Sequence, residues 1–195
     1  MITRLLEKRI EERLFRGRVI TLFGARRVGK TTLVQKILQN HSDKKTRYLN
    51  CDLQSVQLGL GVPEAEILRV FLGDNDLIVL DEAQNIPDIG LILKILVDTY
   101  PQMQIIATGS SSFRLANAVG EPLTGRVYSF EMYPLSIQEI AGNQGTSVIE
   151  PRMPQLLRFG SFPSILDTDE QDAKEQLDDL VSNYLFKDVL AFSGI

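Results

Sequence analysis

The chain has 195 residues, of which 44% are hydrophobic, and its formal net charge is −4 with one histidine and one cysteine. This length can bury one substantial core. No stretch has the apolar length of a membrane span or the composition of a signal peptide, so we expect a soluble cytoplasmic protein with no membrane partner. The single cysteine, Cys51, excludes an internal disulfide, and with His41 it gives no zinc-site spacing.

The charge is distributed unevenly along the chain. Residues 1–47 hold 13 Lys and Arg against 4 Asp and Glu, whereas residues 48–133 and 134–195 hold 4 basic residues each against 11 and 10 acidic ones. A basic N-terminal third is compatible with binding to nucleic acid. The alternative is that these cations form the solvated face of an amphipathic helix, so nucleic acid is only one possible partner.

Hydrophobic spacing predicts alternating strands and helices over the first two thirds of the chain. The predicted strands cover 18–23, 46–51, 76–82, 103–108 and 126–132, and the predicted helices cover 3–16, 30–40, 63–72, 89–100 and 111–119. Strands that alternate with helices favour a parallel sheet with helices on both faces.

After Pro134 the pattern is helical only, with predicted helices at SIQEIAG, at QLLRFG and over 170–192. We therefore expect an α/β core over 1–133 and a small helical segment over 134–195. The final run VLAFSGI is apolar and has no stop signal. This ending predicts that the helical segment is truncated before a further C-terminal domain.

The stretch GARRVGKTTL directly follows the predicted strand 18–23 and opens the predicted helix 30–40. Its spacing is that of a Walker A loop, G-x-x-x-x-G-K-[ST], whose backbone amides surround phosphate groups at the start of a helix. The loop is therefore predicted to bind a nucleotide through Gly24, Ala25, Arg26, Arg27, Val28, Gly29, Lys30, Thr31 and Thr32.

Within this loop the spacing assigns separate roles. Lys30 is expected to reach the β- and γ-phosphates, and the Thr31 hydroxyl is expected to ligate Mg²⁺. Thr32 is assigned to capping or packing. Two interpretations of Arg26 and Arg27 stay open, namely contact with phosphate or solvated loop cations.

The stretch LIVLDEAQ predicts the second half of an active site. A buried strand ends in Asp81 and Glu82 at the sheet edge where ligands of α/β proteins bind. Asp81 is expected to hold the metal through water, as a Walker B aspartate, and Glu82 to polarise the attacking water, since strand neighbours point to opposite faces. The alternative is an acidic strand end that precedes a turn.

A third element is the stretch MQIIATGSSSF, a strand that ends in small polar residues. If this strand is inserted between the two Walker strands, it brings Thr108, Ser110 or Ser111 beside the γ-phosphate. Ser110 is the candidate for orienting water. The alternative is a Gly-Ser turn that caps the next helix.

The set GARRVGKTTL, LIVLDEAQNIP, IIATGSSSFRL, LTGRV, YPLSIQEI and FGSFPSIL resembles, in this order, a prokaryotic group of P-loop ATPases of the AAA-like type. The group is related to the AAA+ and signal-transduction NTPases. The resemblance implies a P-loop NTPase sheet of five parallel strands and a further C-terminal domain. Ser164 departs from the acidic residue that commonly follows the Gly-Phe-Pro motif of the group.

The resemblance also implies a role for Arg126 in the LTGR stretch. In AAA-like proteins an arginine that follows the strand corresponding to MQIIATGSSSF often completes the γ-phosphate site. It acts either in the same chain or from a neighbouring subunit of a homo-oligomer. A salt bridge within the loop is the alternative.

No N-K-x-D tetrapeptide occurs in the sequence, which favours ATP over GTP. The Asp-Glu pair favours hydrolysis over transfer to a second substrate. We therefore expect a Mg²⁺-dependent ATPase that forms ADP and phosphate, turns over slowly as this chain alone, and couples hydrolysis to movement of a downstream domain or partner. The alternative is a slow nucleotide-dependent switch that serves as a DNA- or partner-binding module.

Overall fold

The computed structural model describes residues 2–109 and 123–182. Two compact units are present, each built from discontinuous segments. The sheet unit comprises Leu6–Gly24 and Lys30–Met132, and the helical unit comprises Met1–Leu5, Ala25–Gly29 and Tyr133–Ile195. The predicted helix over 111–119 and the hydroxyls of Ser110 and Ser111 lie outside the described residues.

The described elements follow one another in this order: α1 (Leu5–Glu11), β1 (Val19–Phe23), α2 (Lys30–Asn40), β2 (Thr46–Asn50), α3 (Gln54–Leu60), α4 (Ala65–Leu72), β3 (Leu77–Asp81), α5 (Ile89–Thr99), β4 (Gln104–Gly109), β5 (Val127–Glu131), α6 (Ile137–Gln144), α7 (Ile149–Phe159) and α8 (Glu170–Leu180). Short 3₁₀ turns occupy Ala83–Asn85 and Thr146–Val148. Within the described part of the chain, no helix has both the length and the apolar composition needed to cross a bilayer.

All five strands form one parallel sheet in the order β2-β3-β4-β1-β5. The sequences VITLF, LIVLD and QIIATG of β1, β3 and β4 are buried along their whole length, as continuous apolar strands of a covered parallel sheet should be. The edge strands β2 and β5 are only partly buried. These features confirm the predicted α/β fold with five parallel strands.

Strand β4 lies between β1 and β3, although it follows both in the sequence. Thr108 pairs with Leu22 of β1, and Ala107 pairs with Leu80 of β3. The predicted insertion of this strand between the two Walker strands is therefore confirmed. Because the three strands are parallel, their carboxyl ends meet at the same edge of the sheet, where ligands of such folds bind.

The core of the sheet unit is closed by helices that present apolar stripes. Helix α5, for example, buries Ile89, Ile92, Leu93 and Leu96, which recur at the spacing of one helical face. The seven-residue helix α3 was not predicted, because only Val56 and Leu60 of its residues are buried and the apolar signal is short. The predicted helix over 3–16 is too long, since Phe15 (φ 56°) and Gly17 (φ 64°) adopt left-handed backbone angles.

The helical unit contains α6, α7 and α8, which overlap the three predicted helices. Helix α7 begins six residues before the predicted QLLRFG segment, and residues 183–192 of the last predicted helix lie outside the described residues. Helix α6 begins with a capping box, in which the Ser136 side chain accepts from the Glu139 N–H and the Glu139 side chain accepts from the Ser136 N–H. Its apolar contacts join Leu135, Ile140 and Leu166 in one cluster. The side chain of Asp169 caps α8 by accepting from the Asp172 N–H.

Candidate functional site

The Walker A loop begins at Gly24, directly after β1, where only glycine fits. Its φ is +153°, and a Cβ atom at this position would lie 2.2 Å from the carbonyl oxygen of Met132. Met132 follows β5, and its N–H donates to the Phe23 carbonyl at 2.7 Å. The backbone after β5 therefore closes against Gly24, and any side chain would force the two strand ends apart.

Lys30 is the first residue of α2 and is buried, with 5% of its surface exposed. Its ammonium group donates to the Gly24 carbonyl at 2.9 Å. A buried ammonium group needs strong acceptors, because its removal from water costs on the order of several kcal/mol. Phosphate oxygens are acceptors that also bring the opposite charge, so the position of Lys30 fits its predicted role.

Asp81 ends β3 and collects three hydroxyl groups from three different elements. Its Oδ2 accepts from the Thr31 hydroxyl at 2.8 Å and from the Tyr48 hydroxyl at 2.5 Å, and its Oδ1 accepts from the Thr108 hydroxyl. Thr31 lies on α2, Tyr48 on β2 and Thr108 on β4. The structure thus brings together Thr31 and Asp81, the two residues predicted to hold the metal.

Tyr48 was not found by sequence reasoning. Burial raises the pKa of its phenol, and the hydrogen bond to Asp81 and the charge of that carboxylate raise it further. The phenol therefore stays protonated and acts as a donor to Asp81. No local spacing links Tyr48 to Asp81, which lies 33 positions later.

The donor set at Asp81 fits Mg²⁺ together with a nucleotide. Within residues 2–109 and 123–182, no cluster of three or more His, Cys, Asp or Glu side chains could hold a metal by itself. Mg²⁺ commonly uses one or two protein oxygens, keeps several waters and takes its other ligands from phosphates. One hydroxyl and one carboxylate therefore suit a metal that arrives with phosphate.

Glu82 follows β3 in a left-handed backbone conformation, with φ at 56°. It lies outside the strand, so its direction comes from this backbone turn and not from the strand alternation used to predict it. Its N–H donates to the Thr108 hydroxyl at 3.2 Å, and its Oε2 accepts from the Gln84 amide at 2.5 Å. Since Thr108 also donates to Asp81, one hydroxyl connects the two acidic residues.

In the helical unit, the loop segment Ala25–Gly29 is anchored by Arg4, which is 9% exposed. The Arg4 guanidinium donates to the carbonyl oxygens of Val28 at 2.6 Å and Tyr133 at 2.5 Å, and it pairs with Glu139 at 3.0 Å. Sequence reasoning missed this anchor. The available signal was the S-x-x-E pattern in YPLSIQEI, which marks Glu139 as a capping residue.

The carboxylate of Glu139 stays ionised at this position. Burial raises its pKa, but the hydrogen bonds from the backbone of Ser136 and Leu5 and from the Arg4 side chain lower it more, so the pKa lies below the usual 4.5. The pair of Arg4 and Glu139 is therefore a charged and buried contact that is supported by hydrogen bonds on both side chains.

Arg27 has a left-handed φ of 64° and binds helix α8. Its guanidinium donates to the Asp179 carboxylate at 3.1 Å and to the Gln176 carbonyl at 3.3 Å. Of the two interpretations left open, the structure shows an ion pair in the helical unit. Contacts of Arg26 and Arg27 with phosphate stay predictions.

Arg126 lies away from the other predicted site residues. Its carbonyl accepts from the Val19 N–H at 2.9 Å, which places Arg126 at the amino ends of β5 and β1. Gly24 and Asp81 lie at the carboxyl ends of the strands, the opposite edge of the sheet. The Arg126 guanidinium is exposed and donates to Asp98 at 2.6 Å. The structure does not bring Arg126 to the site of its own chain, so only a role in a neighbouring subunit remains as a prediction.

Two further predicted residues have no structural test. Ser110 lies outside the described residues. Thr32 is exposed in the first turn of α2, and its assignment to capping or packing stays a prediction.

Comparison with known proteins agrees with this geometry. A family model described as an AAA domain matches residues 16–141. An uncharacterized protein of Mycobacterium tuberculosis is 28% identical over 183 residues, which cover 93% of this chain and 38% of that protein. An uncharacterized protein of Methanocaldococcus jannaschii is 26% identical over 202 residues, which cover 96% of this chain and 45% of that protein. The chain thus spans less than half the length of these relatives.

Two solved structures share the fold. The replication initiator DnaA bound to AMPPCP and single-stranded DNA matches with a TM-score of 0.56 at 16% identity, over 100% of this chain and 66% of that chain. A Walker-type ATPase of Pyrococcus abyssi matches with a TM-score of 0.55 at 17% identity, over 99% of this chain and 76% of that chain. The matched range 16–141 contains the Walker A loop and both acidic residues after β3, and the chain therefore belongs to the AAA domain family of P-loop ATPase-like proteins.

Proposed function

We propose that this protein binds ATP with Mg²⁺ at the carboxyl edge of its sheet and hydrolyses ATP to ADP and phosphate. The observation that carries the proposal is the 2.8 Å hydrogen bond between Thr31 and Asp81. It joins the residue after the Walker A lysine to the last residue of β3. Both side chains can therefore serve one metal ion, Thr31 through its hydroxyl oxygen and Asp81 through a bound water, as the two metal-holding residues of P-loop NTPases do.

The roles of the other residues follow from their chemistry. Lys30 and the loop amides hold the phosphates, with Thr32, Arg26 and Arg27 as further candidates in the loop. Bound Mg²⁺ would neutralise the charge of the β- and γ-phosphates. Glu82 polarises the attacking water through its carboxylate. Ser110 is the candidate that orients this water.

The relatives extend well beyond the matched segment, since the chain covers 38% and 45% of two of them. In a longer protein of this kind, hydrolysis would be coupled to the movement of a further domain or of a partner. This coupling is part of the proposal.

The test is nucleotide binding and phosphate release by the wild type in Mg²⁺ and in EDTA, compared with two lysine variants. Lys30→Ala should lose detectable binding of a fluorescent ATP analogue, because the loop loses its mobile counter-charge to phosphate. Lys36→Ala is the matched control, since Lys36 lies on the same helix and pairs with Glu7 at 2.8 Å. Unchanged affinity in Lys30→Ala would refute the proposal.

A second candidate function, a slow nucleotide-dependent module that binds nucleic acid, is favoured by a surface of the sheet unit. This basic surface consists of the exposed side chains of Arg9, Arg13, Arg16 and Arg18. The guanidinium carbons of Arg13 and Arg18 lie 5.2 and 4.9 Å from the ring centroid of Tyr128, and that of Arg9 lies 5.8 Å from the ring of Phe130.

Among the residues that the structure describes, no carboxylate forms an ion pair with these four arginines. Two guanidinium groups therefore share one aromatic ring on an edge strand without a negative partner. A phosphodiester backbone would offset their mutual repulsion and release counterions. Single-stranded DNA is the probe to use, because the fold is shared with an initiator solved with that ligand.

The experiment measures anisotropy of a labelled single-stranded oligonucleotide at two salt concentrations. Replacing Arg13 and Arg18 together by Gln should weaken binding and lower the slope of log affinity against log salt by roughly 1 to 2, as expected for two lost phosphate contacts. The control replaces Arg152 and Arg158, which already pair with Asp167 and Glu170. Equal losses of oligonucleotide affinity in both double variants would refute the proposal that the basic surface binds nucleic acid. Single-turnover hydrolysis with and without the oligonucleotide separates a slow switch from an enzyme.

A further inference from the structure

Tyr48 reaches the metal-holding carboxylate from the neighbouring edge strand. In the pairing of β2 with β3, Tyr48 lies opposite Val79 and Asn50 lies opposite Asp81. Residues two apart on a strand share a face, so the tyrosine is a diagonal neighbour of Asp81. Its long side chain spans this diagonal, and its hydroxyl donates to Asp81 Oδ2 at 2.5 Å.

The acceptor capacity of Asp81 is nearly filled. An ionised carboxylate offers about four lone-pair sites, two on each oxygen. Thr31 and Tyr48 both donate to Oδ2, and Thr108 donates to Oδ1. Oδ2 is thereby saturated, and one acceptor position remains, on Oδ1.

We propose that Tyr48 is a positioning residue that restricts Asp81 to holding the metal through a bound water, and that it thereby makes the site select Mg²⁺ over Ca²⁺. The proposal rests on the proposed function, because it concerns the metal that accompanies the nucleotide. With Oδ2 closed by two hydroxyls, Asp81 cannot bind a cation through both oxygens.

Bidentate carboxylate ligation is a common mode for Ca²⁺, which takes six to eight oxygens, whereas Mg²⁺ keeps several of its waters. A single free acceptor on Oδ1 suffices for one Mg²⁺-bound water. Loss of the Tyr48 hydroxyl would free one lone pair of Oδ2 and allow the carboxylate to turn toward a larger ion. Thr31 would not compensate, since its hydroxyl has a single proton, which is already donated to Asp81.

The test uses Tyr48→Phe, which removes one oxygen atom and keeps the ring. Tyr100→Phe is the matched control, because its hydroxyl donates to the Ala65 carbonyl at 3.3 Å in the same unit. For each protein, affinity for a fluorescent ATP analogue is measured in EDTA and in titrations with Mg²⁺ and Ca²⁺. Thermal unfolding without nucleotide reports any general loss of stability.

In Tyr48→Phe the ratio of half-saturating Ca²⁺ to half-saturating Mg²⁺ should fall by about tenfold, the size typical for loss of an outer-shell partner of a metal site. Affinity in EDTA should stay within about twofold, because the phosphate contacts do not involve Tyr48. A purely structural tyrosine would change stability without changing the ratio. A ratio equal to that of the wild type and of Tyr100→Phe overturns the inference while the proposed function stands.

Absence of nucleotide binding by the wild type in every condition would instead refute the proposed function and the inference with it. If Tyr48→Phe does not fold, the wild type decides the question. With Mn²⁺ and nucleotide bound and aspartate labelled with ¹³C, electron–nuclear double resonance should show no direct metal–carboxylate coupling. A direct coupling would overturn the inference.

Discussion

The ammonium group of Lys30 and the carbonyl of Gly24 are joined by a 2.9 Å hydrogen bond, which links the two ends of the Walker A loop. The loop ends are thus held together by the chain itself. Such preorganisation lowers the entropy lost when phosphate binds. The contact also ties the cation to Gly24, a position at which a side chain cannot be accommodated.

Gly24→Ala should destabilise the protein by about 3 kcal/mol, because the new Cβ would lie 2.2 Å from the Met132 carbonyl. Gly125→Ala is the control, since Gly125 also has a positive φ of 77°, but among the described residues no neighbour lies within 4 Å of the position that its Cβ would take. That variant should lose only about 1 to 2 kcal/mol from backbone strain. Urea unfolding measures both values, and equal losses would show that the contact with Met132 is not limiting.

Glu82→Gln should keep nucleotide affinity and lower the single-turnover rate by about 100-fold or more, because the amide preserves shape but cannot take up a proton from water. Glu66→Gln, an exposed glutamate in the first turn of α4, serves as the control. Hydrolysis at the native rate by Glu82→Gln would remove this carboxylate from the mechanism. The module that binds nucleotide without appreciable turnover would then be the better description.

Arg126→Ala should leave ATP binding unchanged and abolish any rise of specific activity with protein concentration. The reason is its position at the edge of the sheet opposite Gly24, where it can serve only the site of another subunit. Asp98→Ala is the complementary variant, because it removes the 2.6 Å partner of the guanidinium and should steepen that rise. A rate per subunit that is independent of concentration in all three proteins would exclude a role in a neighbouring subunit.

Glu139→Gln should cost about 3 kcal/mol near neutral pH, since it leaves the Arg4 charge buried without its partner. The folded-state pKa of Glu139 lies below 4.5. Its contribution to stability is therefore complete above the unfolded-state pKa and is lost as the pH falls through the folded-state pKa. The difference in melting temperature between wild type and variant should shrink in that acidic range.

The control for this prediction is Glu170→Gln. The pKa of Glu170 is also lowered, by Lys174 and Arg158, but these groups are exposed and their attraction is screened. The melting temperature of this variant should equal that of the wild type at every pH. A constant difference between wild type and Glu139→Gln across the acidic range would contradict the assignment of an ionised, paired Glu139.

The sequence allowed prediction of those parts of the fold and the site that depend on neighbouring residues. Strands β1, β3 and β4 are continuous apolar runs, so burial on both faces could be inferred from composition alone. The Walker A loop and the Asp-Glu pair are recognised by fixed spacing within a few residues. Both motifs can be identified from residues that are close together in the sequence.

The features that sequence reasoning missed depend on distant or weak signals. Tyr48 lies 33 positions from Asp81, and Arg4 lies 135 positions from Glu139, so no spacing rule connects either pair. The predicted end of α1, at residue 16, is too late because the backbone of Phe15 adopts a positive φ. A bulky residue seldom adopts this conformation, so the sequence gives no signal for it. Predicting these contacts requires the register of the sheet and the path of the chain, which only the folded structure supplies.

The position of β4 has a consequence for the order in which the protein acquires its ligand. By insertion, β4 keeps β1 and β3 two inter-strand spacings apart, about 9 to 10 Å. A nascent chain that has emerged only to about residue 103 carries both nucleotide motifs but lacks the strand, Gln104–Gly109, that sets their separation. Nucleotide should therefore stabilise only chains that have completed this pairing, and binding during synthesis would report that the ribosome has passed the end of β4.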